Sequence, residues 1–214
     1  MNYLKFVLTG CRNPRHVALT FDDGVSDFTN DLLDILFKNQ IRATFFVIGE
    51  TLQLSHTKKR TLIRMIREGH VVGSHSFDHP DLRTLSRDSI STQMNQTDEL
   101  IKSVIGVRPR YIRPPYGYVN QKVVSVLRSL GYVIVNWNHD TNDWKFQENY
   151  GSILGYVQNE ISHPRPGTLG PIILQHDSLE SSIRLQKRII KIVRKKGYEF
   201  VTMPECIGEA AYRY

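Results

Sequence analysis

"HVALTFDDG", residues 16–24, is an apolar run that closes on two neighbouring carboxylates and a glycine. Its first six residues, rich in β-branched and aromatic side chains, read as a buried strand. Working outward, "RATFFVIG" (42–49) reads the same way, and between them "DFTNDLLDILFKNQ" (27–40) sets Phe28, Leu32, Leu33 and Leu36 on one helical face. "KKRTLIRMIREG" (58–69) is a second helix with Gly69 as its C′ residue. Strand "HVVGSH" (70–75), helix "RDSISTQMNQTDELIKSVIG" (87–106), extended "RYIRPP" (110–115), helix "QKVVSVLRSLG" (121–131) and strand "YVIVNWN" (132–138) follow. A helical 147–162, strand "PIILQH" (171–176), a basic helix and strand "EFVTM" (199–203) end the series. About seven βα units without a linker predict one α/β domain over residues 1–214 with a largely parallel sheet. The alternation alone fits a barrel or an open sheet.

Composition sets outer limits. The 214 residues are 40% hydrophobic and 23% charged, ordinary for a globular chain. Much of the +7 charge falls in "RLQKRIIKIVRKKG" (184–197), where Leu185, Ile189, Ile190 and Val193 recur at helical spacing. The basic residues lie mostly between them, as on a solvated helix face, and no motif supports a nucleic-acid partner. No stretch reaches the ~18 apolar residues of a membrane span. "YLKFVLTG" (3–10) is too short for a secretory core with its cleavage site, so the protein is intracellular or its targeting segment lies outside this chain. The two cysteines, Cys11 and Cys206, are either buried thiols or a bridge suited to an oxidising compartment.

The polar residues gather where the strands end. Asp22 and Asp23 follow the first strand, His75 closes "HVVGSH" with His79 four residues on, and Arg113 ends "RYIR" before Pro114, Pro115 and Tyr116. Asp140, Asp143 and Trp144 follow "YVIVNWN", and His176 and Asp177 close "PIILQH". In parallel α/β folds these carboxyl ends share one rim, where reactive groups collect. Taken singly, Asp-Asp-Gly reads as a turn, Arg before Pro-Pro as a salt-bridge partner, and His-Asp as a capped helix start. Taken together, one carboxylate and two imidazoles make an O/N/N ligand set with positions left open for water and substrate, as hydrolytic zinc sites require. The second carboxylate then remains free to take a proton from the attacking water.

"TFDDG", "HSFDHP", "RPPYG", "DTNDW" and "IILQHD", with "ATFFVIG", "GHVVGSH" and "HPDL" between, resemble the ordered motifs of the polysaccharide deacetylases, carbohydrate esterase family 4 or NodB-homology domain. The likeness runs from about residue 16 to 208. "FVTMPECIG" is similar to the ending of fungal-type chitin deacetylases, whose Cys is bridged to one near the domain's start, implying a Cys11–Cys206 disulfide. The resemblance implies a distorted, incomplete (β/α) barrel and hydrolysis of N-acetyl groups on an N-acetylglucosamine polymer, chitin foremost, with release of acetate. Peptidoglycan as substrate, or a weakly active carbohydrate-binding relative, are the alternatives within the family.

Site roles carry over from the resemblance position by position. Asp23, His75 and His79 would hold one divalent ion, zinc in most of the family, with cobalt an alternative. Asp22 would be the general base and Arg113 its orienting partner. His176 would be the catalytic acid, oriented by Asp143. The Tyr116 N–H would complete the oxyanion site, and Trp144 and Leu174 would wall the acetyl pocket. The chain departs from the family at Val25, where proline is usual, and at Ser74, where asparagine is frequent. The expected setting is extracellular or cell-wall, and the expected state a monomer with a polysaccharide as its partner. Two acids of a glycosidase must flank the bond ~5–9.5 Å apart, a spacing adjacent residues reach only awkwardly. His-Glu-x-x-His of zincin proteases is absent.

Overall fold

A computed structural model describes residues 3–53 and 55–213. Strand β1 (His16–Gly24) is buried along nearly its whole length and forms the axis of the fold. After it come α1 (Thr29–Lys38), β2 (Thr44–Val47), α2 (His56–Arg67), β3 (Val71–Ser74), α3 (Arg87–Ile105) and β4 (Tyr111–Ile112). Helix α4 (Gln121–Ser129), β5 (Val133–Val135), α5 (Tyr150–Glu160), β6 (Gly170–His176), α6 (Glu180–Lys195), β7 (Glu199–Val201) and α7 (Met203–Ile207) complete the series. These strands are parallel, in the order β5-β4-β3-β2-β1-β6. The alternation of strand and helix therefore resolves to a nearly closed barrel rather than an open sheet.

Two features close it. Asn136 N still donates to Leu8 O at 2.8 Å, in the edge strand Val7–Leu8 that pairs with β5, and the chain then crosses toward β6, where Asn138 N donates to Ile172 O at 3.3 Å. Residues His139–Asp140 then pair in parallel with Ile173 and Leu174 of β6. The expected strand 132–138 thus stops at Val135, because Trp137 and Asn138 bridge the gap toward β6. On the other side of β1, β2 takes the upper half and β7 the lower, Val201 lying opposite Ala18. Two strands sharing one edge leave the barrel imperfect.

Helix ends follow local chemistry. The side chains of Ser55, Ser86, Asn120 and Asn149 accept backbone N–H groups at the starts of α2, α3, α4 and α5. Gly69 follows α2 at φ 82°, as its C′ assignment requires. "EFVTM" is cut short at Val201, since Thr202 and Glu205 form a capping box that opens α7. Helix α6 buries Leu185, Ile189, Ile190 and Val193 and leaves Lys187, Arg188, Lys191 and Lys195 in solvent. Each such apolar side chain contributes about 1.5–3 kcal/mol on burial. Cys11 and Cys206 form a disulfide across 195 residues, tying the short strand Gly10–Cys11 to α7. Among the described residues no helix is long and apolar enough to cross a membrane.

Candidate active site

Side chains of a regular strand alternate between faces, so neighbouring carboxylates should point apart. The β1–β2 register shifts between Asp22 and Gly24, and Asp23 takes φ 70°. This irregularity turns Asp23 out of the alternation, so that it lines the same cleft as Asp22. Gly24 has no room for a side chain, because a Cβ there would stand 2.3 Å from Asp177 Oδ2. Val25, at the position where the resemblance makes proline usual, is fully buried and its N–H donates to Thr51 Oγ1 at 3.1 Å, a bond proline could not make.

Asp23 Oδ1 lies 3.4 Å from His75 Nε2 and 3.5 Å from His79 Nε2. It is buried without a hydrogen-bond partner among the described residues. Ligands bonded at ~2.1 Å to a tetrahedral ion stand about 3.4 Å apart, which both oxygen–nitrogen distances match, and all three donor atoms lie within 4.8 Å of one another. His75 Nδ1 faces Arg113 O at 2.7 Å, and a carbonyl only accepts, so Nδ1 carries the proton and Nε2 keeps its lone pair for the site. His79 is set by a positive φ of 59° and by its N–H to Ser76 Oγ at 3.2 Å. Burial opposes a charge on Asp23, but His75, with His176 and His79 around it, outweighs burial and holds the carboxyl down at about 2. Oxygen and nitrogen donors of this kind fit a divalent ion.

Asp22 is held differently. Its Oδ1 accepts from Arg113 Nη1 at 2.8 Å, while Oδ2 stands 3.8 Å from His75 Nε2, beyond hydrogen bonding. Arg113 is fully buried; it also donates to Thr20 Oγ1 at 2.8 Å and to Asn136 O at 3.2 Å, beneath the Phe46 ring. Burial lowers its pKa, and Asp22 works against that shift.

Across the cleft, His176 lies opposite Asp22 in the β6–β1 register. Asp143, fully buried, accepts from His176 Nδ1 at 2.7 Å, from the His176 backbone N–H at 2.8 Å, from Trp144 N at 2.9 Å and from Ser182 Oγ. Burial disfavours a charged His176, but the Asp143 carboxylate more than offsets it and lifts the imidazole to about 9. His176 is therefore a proton donor at neutral pH. Tyr116 sits at φ 60° with its N–H donating to no described residue. Trp144, half exposed, and Leu174, buried, line the same cleft of about 400 Å³.

The structure thus brings Asp22, Asp23, His75, His79, Tyr116, Trp144, Leu174 and His176 to one cleft, with Arg113 and Asp143 immediately behind it. Sequence reading missed Trp137 and Tyr118 as lining residues, and Thr20 and Ser182 as supports, while Asp140, set at the rim without a role, lines the cleft too. Thr20 carried a signal, since it shares the period-2 face of β1 with Asp22. Asp140, whose Oδ2 accepts from Trp144 Nε1 at 3.4 Å, stood at a noted strand end. Ser182, 39 residues from its partner, carried none.

A cleft at the carboxyl rim of an α/β barrel, with an O/N/N donor set beside a second carboxylate, has the donor types a divalent ion would take in a hydrolase. The polysaccharide deacetylase profile matches residues 9–135, and the chain belongs to that family. A chitin deacetylase of Colletotrichum lindemuthianum is 38% identical over 94% of this chain and 82% of its own length. A peptidoglycan-N-acetylglucosamine deacetylase of Bacillus cereus is 34% identical over 93% of this chain and 70% of its own. The solved structure of the Colletotrichum lindemuthianum chitin deacetylase matches with a TM-score of 0.92 at 37% identity, covering 97% of this chain and 95% of that one.

Proposed function

We propose that this chain removes N-acetyl groups from N-acetylglucosamine units of a glycan, chitin foremost, releasing acetate, with residues 1–214 acting as one catalytic domain. One observation carries the reading. Of two adjacent carboxylates, Asp23 faces two imidazole nitrogens while Asp22 is tied by one oxygen to a buried arginine and keeps the other free. One acid is placed to hold a cation and the other to move a proton.

Asp23, His75 and His79 would hold one divalent ion, zinc by the donor set, with cobalt as the substitute. When bound, such an ion supplies Lewis acidity toward the acetyl oxygen and lowers the pKa of water. Asp22 Oδ2 takes the proton of the attacking water as its oxygen bonds to the acetyl carbon, and Arg113 keeps that carboxylate oriented. The Tyr116 N–H donates to the carbonyl oxygen as it gains charge, a donor typically worth ~3 kcal/mol. Trp144 and Leu174 enclose the acetyl methyl. His176 delivers its Nε2 proton to the amide nitrogen as the C–N bond breaks, while Asp143 holds Nδ1–H and orients the ring. The products are acetate and a glucosamine unit.

The disulfide supports an extracellular or cell-wall setting, because such bridges persist where thiols are not kept reduced. Chitin is preferred over peptidoglycan on the fungal-type ending with its cysteine bridge; the partner is the polysaccharide alone and the working state a monomer. The test is acetate release from chitin oligomers and from peptidoglycan fragments, with and without added zinc. Zinc-dependent release, faster on chitin oligomers, is expected; no release from either substrate with zinc present would refute the reading.

A further inference from the structure

Two tyrosine rings stand in solvent at the lip of the cleft, Tyr116 at 54% and Tyr118 at 47% exposure. Their centroids are 5.6 Å apart and their planes differ by 33°. The row begins at the cation set, where the His79 ring meets Tyr116 at 4.6 Å. It ends at Arg83, whose guanidinium lies 3.9 Å from the Tyr118 centroid. Asp81 holds that guanidinium through Nε at 3.0 Å and Nη2 at 2.7 Å, and Lys122 Nζ donates to Arg83 O at 3.1 Å. Asp81 and Arg83 belong to the same loop as His79, so one segment serves both the cation set and the outer end of the row.

Burial does not explain this arrangement, since about half of each tyrosine surface stays in water. The acetyl chemistry does not use Tyr118 or Arg83. Adjacent exposed aromatic rings leading away from a polar site form an apolar patch of the kind that marks ligand-binding grooves. In a β-linked N-acetylhexosamine polymer the ring substituents are equatorial, so axial C–H groups give each pyranose a flat apolar face that can lie on an aromatic ring. The step from Tyr116 to Tyr118 is on the scale of one sugar ring. A cation stacked on an aromatic ring fixes the ring's position by electrostatic attraction, and Asp81 fixes the cation.

We propose that Tyr118, braced by Arg83, is a subsite for a second pyranose of the glycan chain, next to the unit whose acetyl group is removed. This rests on the deacetylase reading for the placement of the first sugar. The subsite takes an uncharged β-linked hexosamine ring by its apolar face, which makes chain length, more than the identity of the acyl group, the property it reads.

Binding of chitotetraose to zinc-loaded Asp22→Asn protein, measured by calorimetry, tests this without turnover. Tyr118→Ala in that background should weaken binding about 5- to 10-fold, and Tyr118→Phe, which keeps the ring, should bind like the parent. Arg83→Ala should weaken it less and in the same direction. Zinc content and thermal midpoint check that each variant is folded. Equal affinity for Tyr118→Ala and parent, an equal loss in Tyr118→Phe, or no tetramer binding by the parent would overturn the subsite. Tyr118-dependent binding in a protein whose wild type releases no acetate would leave the subsite standing and sink the deacetylase reading. Acetate release with no Tyr118 effect would do the reverse.

Discussion

Asp143 grips His176 twice, through the ring Nδ1 at 2.7 Å and through the backbone N–H at 2.8 Å. The carboxylate therefore sets the position of the residue as well as the charge of its imidazole.

Removing that charge should move a pH limit. With His176 as an acid lifted to about 9, kcat/KM should fall as pH rises through that region. Asp143→Asn keeps the shape but loses the anion, so the alkaline limb should shift toward the ordinary histidine value of about 6.5. The rate at neutral pH should drop by roughly 10²-fold or more. A pH–rate profile of wild type and variant checks this, and an unmoved alkaline limb would count against His176 as the acid.

The paired aspartates should fail differently. Asp23→Asn replaces an anionic ligand with a neutral amide, so zinc content should fall and excess zinc should restore part of the rate. Asp22→Asn should keep its zinc and lose about 10²–10⁴-fold in rate with no rescue. Elemental analysis beside acetate release separates the two, and the opposite pattern would exchange their roles.

The disulfide closes a loop of 195 residues. On the chain-entropy account a loop of this length is stabilising by about 5 kcal/mol. Cys11→Ser with Cys206→Ser should lower the denaturant midpoint accordingly, while unreduced wild type should be about 2 Da lighter than the reduced protein, the mass of two hydrogens. Two free thiols in protein made under oxidising conditions would contradict the pairing.

His70 gives the fold an acid limit away from the cleft. Its Nδ1 accepts from Ala43 N at 3.0 Å, and burial holds the imidazole down at about 4 despite nearby Glu68. Between pH 6.5 and about 4 the unfolded chain binds a proton that the folded one refuses. Stability is therefore full above 6.5 and declines as pH falls to 4, by up to about 3 kcal/mol. His70→Asn, which can still accept from Ala43, should flatten this slope in urea titrations at pH 7.5 and 4.5. An unchanged slope would assign the acid sensitivity to other groups.

The strand–helix alternation, and the gathering of polar residues at one rim, were legible because several polar groups close apolar runs long enough to read. Asp22, His75, Arg113 and His176 all stand at such ends. What was not legible depends on crossings between distant segments. Asn136 supports Arg113 only because the chain after β5 turns across to β6. Ser182 reaches Asp143 only once α6 is packed. The strand expected over 199–203 ends at Val201, and helix α7 leaves no pattern in the sequence because five residues are too few for helical periodicity. The backbone irregularity at Asp23 left no pattern either, since Asp-Asp-Gly reads equally as a turn.

Strand β1, made among the first residues, finds its partners β6 and β7 at the far end of the chain. On a ribosome its β2 edge can form early, but the opposite edge stays unpaired until Gly170–His176 emerges. An apolar strand with a bare edge is a template for pairing with other chains. Such sequence-distant pairing is also slow to form. Synthesis halted before β6 should therefore yield insoluble fragments rather than a smaller barrel, and the cell must shield this strand until translation is nearly finished.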